Sequence, residues 1–257
     1  MTPKTQADLW LELPPKTRKR HAMKAYRMLR EKAEEQLKLF RKREKEGSFK
    51  DIRHLFVFIT LKEFWEDLDF LFDFGKKSKW QEKAHYPVRS ALDKVARLAY
   101  FTHQKEMRQK ELARFEAFSS LKSCYDMSKR NQDAEFSQKI AQVYNKLKET
   151  GDPEISVSKK LFKTGAFPNM KDCMIGGKVQ NADALYTQYE DLSNLSHGNY
   201  LRNLWKAGDN THFVRSAQLG LHLANEMLRG GDFHLNGKVG QDVKDLGIQY
   251  QKMLIDG

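Results

Sequence analysis

Apolar residues recur every three or four positions along most of the chain, which is the spacing of one face of an α-helix. Between residues 17 and 46 they form a single narrow seam, made of Tyr26, Leu29, Ala33, Leu37 and Phe40. The other positions of this segment are mostly Lys, Arg and Glu, and Thr17 can cap its start. The pattern therefore predicts a long amphipathic helix of about 30 residues near the N-terminus.

The same spacing predicts further helices along the rest of the chain. Their expected limits are Asp51 to Phe74, a third helix opening at Tyr86-Pro87, a fourth ending near Met127, and then Asn131 to Glu149, Asn181 to Leu195, Thr211 to Met227 and Gln241 to Leu254. The expected buried side of the second helix is Leu55, Phe56, Ile59, Leu68, Leu71 and Phe72. That of the third is Val88, Ala91, Leu92, Val95, Leu98 and Ala99.

No stretch of any length alternates between apolar and polar residues, so no sheet is expected. The predicted fold class is all-α, a helical bundle with a long basic N-terminal helix. The predicted division is a leader and long helix over residues 1–50 and a helical bundle domain over residues 51–257. Glycine and proline are frequent between residues 151 and 181, which predicts an irregular loop region there.

Positive charge is concentrated in the predicted N-terminal helix. The chain carries a formal net charge of +12, and residues 16–50 hold 14 Lys or Arg against 5 Glu. Cations at this density neutralise phosphates and release counterions, which gives sequence-independent affinity for nucleic acid. RNA or DNA is therefore the expected partner, and the alternative is a helix whose charge serves solubility. The candidate contacts are Lys16, Arg18, Lys19, Arg20, Lys24, Arg27 and Arg30.

The composition and the cysteine spacing argue against several other classes of function. The two cysteines, Cys124 and Cys173, lie far apart without metal-binding spacing, so neither a metal site nor a disulfide framework is expected. No cofactor-binding motif is present. No uncharged apolar run reaches the length of a membrane span, and no secretory signal opens the chain. The expected location is the cytoplasm.

Two groups of polar residues interrupt helices that are otherwise apolar on the same flank. Arg89 and Asp93 are spaced at i, i+4 on the third helix, and Tyr189, Ser193 and His197 follow one another at i, i+4 and i+8 on a later one. If the two helices face each other, these groups satisfy one another's hydrogen bonds, with Asp93 holding Arg89. The alternative for His197 is a structural cap at a helix C-terminus.

Two short motifs resemble those of a broad group of bacterial helical proteins of unknown function. The residues that carry the resemblance are the Arg-x-x-x-acid segment Tyr86 to Asp93, then Leu98 to Phe101, and a Tyr-x-x-Leu-Ser-x-x-x-His-Gly segment with Tyr189, Leu192, Ser193, His197 and Gly198. The group is loosely similar to HEPN domains, many of which act in toxins and antiphage systems and cut RNA with an Arg-x(4–6)-His motif in a dimer. Three segments fit that spacing: Arg97 to His103, Arg215 to His222, and Arg229 to His234.

The resemblance implies a nucleic-acid-associated protein of a bacterial defence or stress system, with a homodimer among its expected assemblies. If the protein cleaves RNA, His197 or His222 would be the general base, and Arg89 or Arg215 would clamp the phosphate. The alternative is a non-enzymatic module or adaptor that binds another protein through its basic helix and aromatic faces. The residues alone leave both open.

Overall fold

The fold is a bundle of α-helices, seen in a computed structural model. The structure describes residues 10, 12–45, 51–76, 83–130, 166–196 and 211–236, with a few positions in 134–142 and 245–256. In chain order the helices are α1 Pro15–Lys45, α2 Ile52–Lys76, α3 His85–Thr102, α4 Glu106–Arg130, α5 Met170–Gly176, α6 Ala182–Ser196 and α7 Thr211–His234. Within these ranges there is no strand, and the predicted all-α class is confirmed.

The predicted apolar seam is the buried side of α1. Tyr26, Leu29, Ala33, Leu37 and Phe40 are all buried, and they belong to the same core as the residues of the other helices. The helix packs against α2 and α7 along this seam. Because the seam is narrow, most of the helix circumference stays outside the core, and the side opposite the seam faces solvent.

Helix α3 lies at the centre of the packing. It contacts α2, α5, α6 and α7 and, less extensively, α4. Of the core face expected from the sequence, Val88, Ala91, Leu92, Val95 and Leu98 are buried, whereas Ala99 is half-buried. Pro87 sits in its first turn, where a missing N–H breaks no helical hydrogen bond. A central helix of this kind has little surface free, and its polar side chains are therefore confined to one flank.

The expected buried side of α2 is partly wrong. Leu55 and Ile59 are 36% and 43% exposed, whereas Val57, Leu61 and Trp65 fill the core. Residues 55–59 of this helix are all apolar, so the spacing of apolar residues there does not single out the core face. Packing against α1 and α3 decides which of these residues are buried.

Helix α7 is longer than the sequence predicts. It was expected to end at Met227, before Gly230-Gly231, but it continues through both glycines to His234. A Cβ at Gly230 would lie 3.1 Å from Leu98, and one at Gly231 would lie 2.6 Å from Gln36 Cδ. The two glycines therefore allow α7 to pack closely against α3 and α1 without ending the helix.

Polar side chains of α1 reach carbonyl groups near the C-terminal end of the chain. Arg43 donates to His234 O at 2.9 Å and to Leu235 O at 3.2 Å, which satisfies the free carbonyls at the end of α7. Gln36 Nε2 donates to Leu228 O at 2.9 Å, and His21 Nδ1 donates to Leu254 O at 3.0 Å. These contacts fix the position of α1 on the bundle.

Two predicted helices fall largely on residues that the structure does not describe. These are Asn131 to Glu149 and Gln241 to Leu254. Of the region 151–181, residues 166–181 are described and contain the short helix α5, whose first turn is capped by Asn169.

Candidate functional site

One flank of α3 carries a continuous polar strip. Its members are Tyr86, Arg89, Ser90, Asp93 and Arg97; Arg89 and Ser90 are adjacent, and each member lies three or four residues from another, so they share one flank of the helix. The opposite side of α3 is committed to the core. The strip follows the flank at which α6 and the residues before α5 approach.

The first part of this strip and Tyr189 of α6 together form a cleft. The Arg89 guanidinium carbon lies 5.5 Å from the centre of the Tyr189 ring, in the arrangement of a cation–π contact. The cleft has a volume of about 260 Å³ and is lined by Tyr86, Arg89, Ser90, Asp93 and Tyr189. Three residues singled out from the sequence, Arg89, Asp93 and Tyr189, therefore meet at one place.

Asp93 does not hold Arg89 as the sequence analysis expected. Its Oδ2 accepts instead from Arg97 Nε at 2.9 Å. Both partners are at i, i+4 from Asp93, but an acid that precedes its base along a helix interacts better with it than an acid that follows. The order of acid and base along the helix thus favours the pair of Asp93 with Arg97, and Arg89 contacts Tyr189 instead.

Arg97 links the strip to α4 and to the residues before α5. Its Nη1 donates to Glu116 at 2.7 Å, and its guanidinium lies 5.5 Å from the ring of Phe167. Burial raises the pKa of Glu116, an effect that Arg97 opposes. Neither Arg97 nor Glu116 was proposed from the sequence as part of this centre, although Arg97 continues the three-to-four spacing of the strip.

Cys173 lies beside this network but has no nucleophilic character. Burial raises the pKa of its thiol to about 12, so the thiol stays protonated at neutral pH. Its Sγ donates weakly to Pro168 O at 3.4 Å. The residue behaves as a small buried apolar group.

Ser90 has a defined hydrogen-bond role at the edge of the cleft. Lys94 Nζ donates to Ser90 Oγ at 2.7 Å and to Asp67 Oδ2 of α2 at 2.7 Å. Because the serine oxygen accepts here, its own hydrogen remains to be donated elsewhere.

The remaining members of the later polar group are only partly described. Ser193 is half-buried on α6, one turn after Tyr189. His197 and Gly198 lie outside the residues that the structure describes. The shared site of Arg89 and His197 therefore stays a prediction.

The residues with HEPN-like spacing occupy different environments. Arg215 is exposed on α7 and His222 is half-buried two turns later; burial lowers the pKa of the His222 imidazole. His103 is exposed and its Nδ1 donates to Ala99 O at 3.0 Å. Arg229 pairs with Glu226 at 3.1 Å, whereas His234 is enclosed beside Phe101.

The cations predicted to bind nucleic acid divide into two groups. Lys16, Arg20, Lys24 and Arg27 are exposed on the side of α1 that faces away from the core. The other three are half-buried: Arg18 lies 5.8 Å from the Trp10 ring, Lys19 lies 5.8 Å from the Phe213 ring, and Arg30 binds Asp69. The two groups thus differ in how freely they can meet a ligand.

Arg30 takes part in a small network that fixes α1 on α2. Its Nε and Nη2 donate to the two oxygens of Asp69 at 3.1 and 3.2 Å, and the Tyr26 hydroxyl also donates to Asp69. Burial and the neighbouring Asp69 carboxylate raise the pKa of Tyr26, which stays neutral. The Tyr26 ring stacks on Phe72 with centroids 3.9 Å apart.

In the part of the chain that the structure describes, no three His, Cys, Asp or Glu side chains lie close enough to hold a metal ion. Nor does any helix of these same ranges have the length and apolar character needed to cross a membrane. Comparison of the chain with family models, with curated proteins and with solved structures finds no match.

Proposed function

We propose that the protein binds nucleic acid through the outer face of α1. The observation that carries the proposal is the row Lys16, Arg20, Lys24 and Arg27, which repeats every three or four residues and is exposed along its whole length. One helix turn separates neighbouring cations by about 5 to 6 Å, and the row spans about 16 Å. The helix is held rigidly by its buried seam, so the cations are presented on a fixed support.

The expected mode of binding is to the phosphate backbone. Lys and Arg that neutralise phosphates release condensed counterions, and this contributes affinity without reading the bases. The row ends where Glu31, Glu34 and Glu35 occupy the same outer face, and a second basic group follows at Lys38, Arg41 and Lys42. The acids lower the local potential around the second group, so the first group is the expected contact.

Arg18, Lys19 and Arg30 have a supporting role in this proposal. Each of them contacts an aromatic ring or a carboxylate of the bundle, as described above. Their substitution is expected to disturb the docking of α1 as well as its charge, which makes them poor test positions.

The first prediction concerns Arg20, Lys24 and Arg27, changed together to Gln. Binding to a labelled RNA or DNA should weaken by at least about tenfold at 0.1 M salt. For duplex DNA, the slope of log K against log salt should become shallower by about 2.7, because three phosphate contacts are lost. Fluorescence anisotropy at several salt concentrations measures both quantities.

The matched control is Lys38, Arg41 and Lys42 changed together to Gln. These changes remove the same three charges from the same face of the same helix. A smaller loss of affinity than in the first variant supports a local contact. An equal loss in both variants would assign binding to net charge alone, and no loss in either would remove α1 as the nucleic-acid surface.

One observation favours the alternative of a protein-binding module. Leu55, Ile59 and Phe70 of α2 are 36%, 43% and 56% exposed. Purification with and without nuclease treatment separates the two readings. Co-purified nucleic acid supports the proposal, and a stable protein partner without nucleic acid supports the alternative. Cleavage of bound RNA stays a prediction, since His197 lies outside the described residues.

A further inference from the structure

Arg89 differs from the other two half-buried cations of α3 in having no carboxylate partner among the described residues. Lys94 binds Asp67, and Arg97 binds both Asp93 and Glu116. The contact of Arg89 within the described ranges is with the face of Tyr189. Its charge is therefore positioned by an aromatic ring and not neutralised by a neighbouring acid.

This contact leaves the hydrogen-bonding edge of the guanidinium free. A guanidinium is planar and its N–H groups point outward in that plane, and the Tyr189 ring 5.5 Å away offers them no carboxylate or carbonyl oxygen. The Arg89 Nε is also enclosed, and no acceptor for it is found in the described part of the chain. A buried donor without an acceptor is costly, and such a group calls for an explanation.

Three of the other polar groups of the cleft are hydroxyls, which can donate as well as accept. The Ser90 hydroxyl accepts from Lys94 and so has its hydrogen left to give, and the cleft is also lined by the phenols Tyr86 and Tyr189. Asp93 is the one carboxylate among the described residues that line the cleft, and its Oδ2 is already occupied by Arg97. The cleft thus offers a planar cationic fork with hydroxyl groups around it.

We propose that this cleft binds a phosphate group, either free or carried by a small molecule. The edge of Arg89 matches two oxygens of a phosphate or a carboxylate, since both accept a guanidinium in a bidentate manner. The surrounding hydroxyls can serve a third oxygen, which a phosphate has and a carboxylate lacks. A volume of about 260 Å³ admits such a group with a small attached part.

This site is separate from the nucleic-acid surface proposed above. The cleft lies where α3 meets α6, whereas α1 packs against α2 and α7, and the two share no residue. Either proposal can therefore be wrong while the other is right, and one substitution at each site distinguishes them.

The test is a titration of the full chain, labelled with ¹⁵N at arginine, with inorganic phosphate at constant ionic strength. One Nε–Hε resonance should shift in a saturable manner, and it should be the resonance that is missing in Arg89→Gln. Arg89→Lys keeps the charge but loses the fork, so phosphate should bind at least about tenfold more weakly. Arg27→Gln on α1 should leave phosphate binding unchanged.

The role of Tyr189 is tested by a matched pair of variants. Tyr189→Phe keeps the ring against Arg89 and should change the phosphate affinity by no more than about twofold. Tyr189→Leu removes the ring and should weaken binding by about fivefold or more. Equal effects of the two variants would contradict positioning by the ring.

Other outcomes decide the proposal itself. Circular dichroism first shows that each variant is folded, and Arg89→Lys replaces Arg89→Gln if the latter is not. The absence of a saturable shift with phosphate, or the same shift in the Arg89 variant, would overturn the site. A parallel titration with acetate that binds as tightly as phosphate would overturn the assignment to phosphate. Arg89→Gln should also leave the salt dependence of nucleic-acid binding unchanged.

Discussion

Replacement of Gly177 by Ala is expected to lower the free energy of unfolding by about 3 kcal/mol, near the upper end of the cost of overpacking a core. Gly177 follows α5 and lies against the last turn of α3. An added Cβ would be 2.6 Å from Tyr100 N and 2.8 Å from the carbonyl carbon of Ala99. These are backbone atoms of a packed helix, so the clash is relieved only if α5 and α3 move apart.

The expected loss has a steric cause alone. Gly177 has φ −82° and ψ −2°, which any L-residue adopts. Separation of the two helices would also loosen Cys173 and Met174, which are buried beside α3. The cost in free energy of moving a whole helix thus adds to the cost of the local clash.

Gly176→Ala is the matched control. A Cβ at this neighbouring position would meet the Tyr100 ring at 2.9 Å, a side chain that can rotate away. Alanine is also the better helix former, by up to about 1 kcal/mol, so the two effects nearly offset each other. Urea unfolding followed by circular dichroism compares the two variants. Equal stabilities would show that α5 does not rest on the α3 backbone as closely as these distances require.

Acidification from pH 6.5 to about pH 4 should destabilise the protein by about 3 kcal/mol through His234. Burial lowers the pKa of this imidazole to about 4, and the nearby His54 and Arg53 act in the same direction. The unfolded chain therefore binds a proton that the folded chain does not. The contribution of His234 is fully present above pH 6.5 and is lost as the pH falls toward 4.

The hydrogen bonds of His234 identify its neutral form. The Thr102 hydroxyl donates to Leu98 O at 2.7 Å, so its oxygen must accept from His234 Nε2 at 2.9 Å. The proton therefore resides on Nε2, and acid would add the second proton at Nδ1. The rings of Phe101 and Phe233, with centroids 5.8 and 5.4 Å from that of His234, provide little solvation for the resulting charge.

Thermal or urea unfolding across this pH range measures the effect. In His234→Gln, the loss of stability between pH 6.5 and 4 should be smaller than in the wild type by most of the 3 kcal/mol estimated above. His222→Gln should reduce this loss in the same direction, because burial also lowers the pKa of His222. If His234→Gln loses as much stability between pH 6.5 and 4 as the wild type does, His234 is not the source of that loss.

The helices and the core of the central ones could be predicted from sequence because they repeat a local pattern. The seam of α1 and the apolar face of α3 both follow a spacing of three or four residues among polar neighbours. The pattern failed where apolar residues stand on every side of a helix, as over residues 55–59 of α2. It also failed at Gly230-Gly231. Glycine that allows two helices to pack closely cannot be distinguished in the sequence from glycine that ends a helix.

The candidate site was predictable only in part. Arg89 and Tyr189 were singled out because each is polar on a helix that otherwise serves the core, and they meet in the structure. The predicted partner of Asp93 was wrong. Two arginines lie one helical turn from Asp93, and they differ only in whether they precede or follow it in the chain. Glu116 could not be found, because its pairing with Arg97 depends on how α4 crosses α3.

The hydrogen bonds that His21, Gln36 and Arg43 of α1 make to distant carbonyls have a consequence for synthesis of the chain. They join residues separated by 191 to 233 positions. At roughly 5 to 20 residues per second, ribosomes need about 10 to 40 s to add 190 residues. During that interval α1 lacks α7, against which much of its seam packs. A chaperone that shields narrow apolar seams would therefore meet α1 before α7 can cover it.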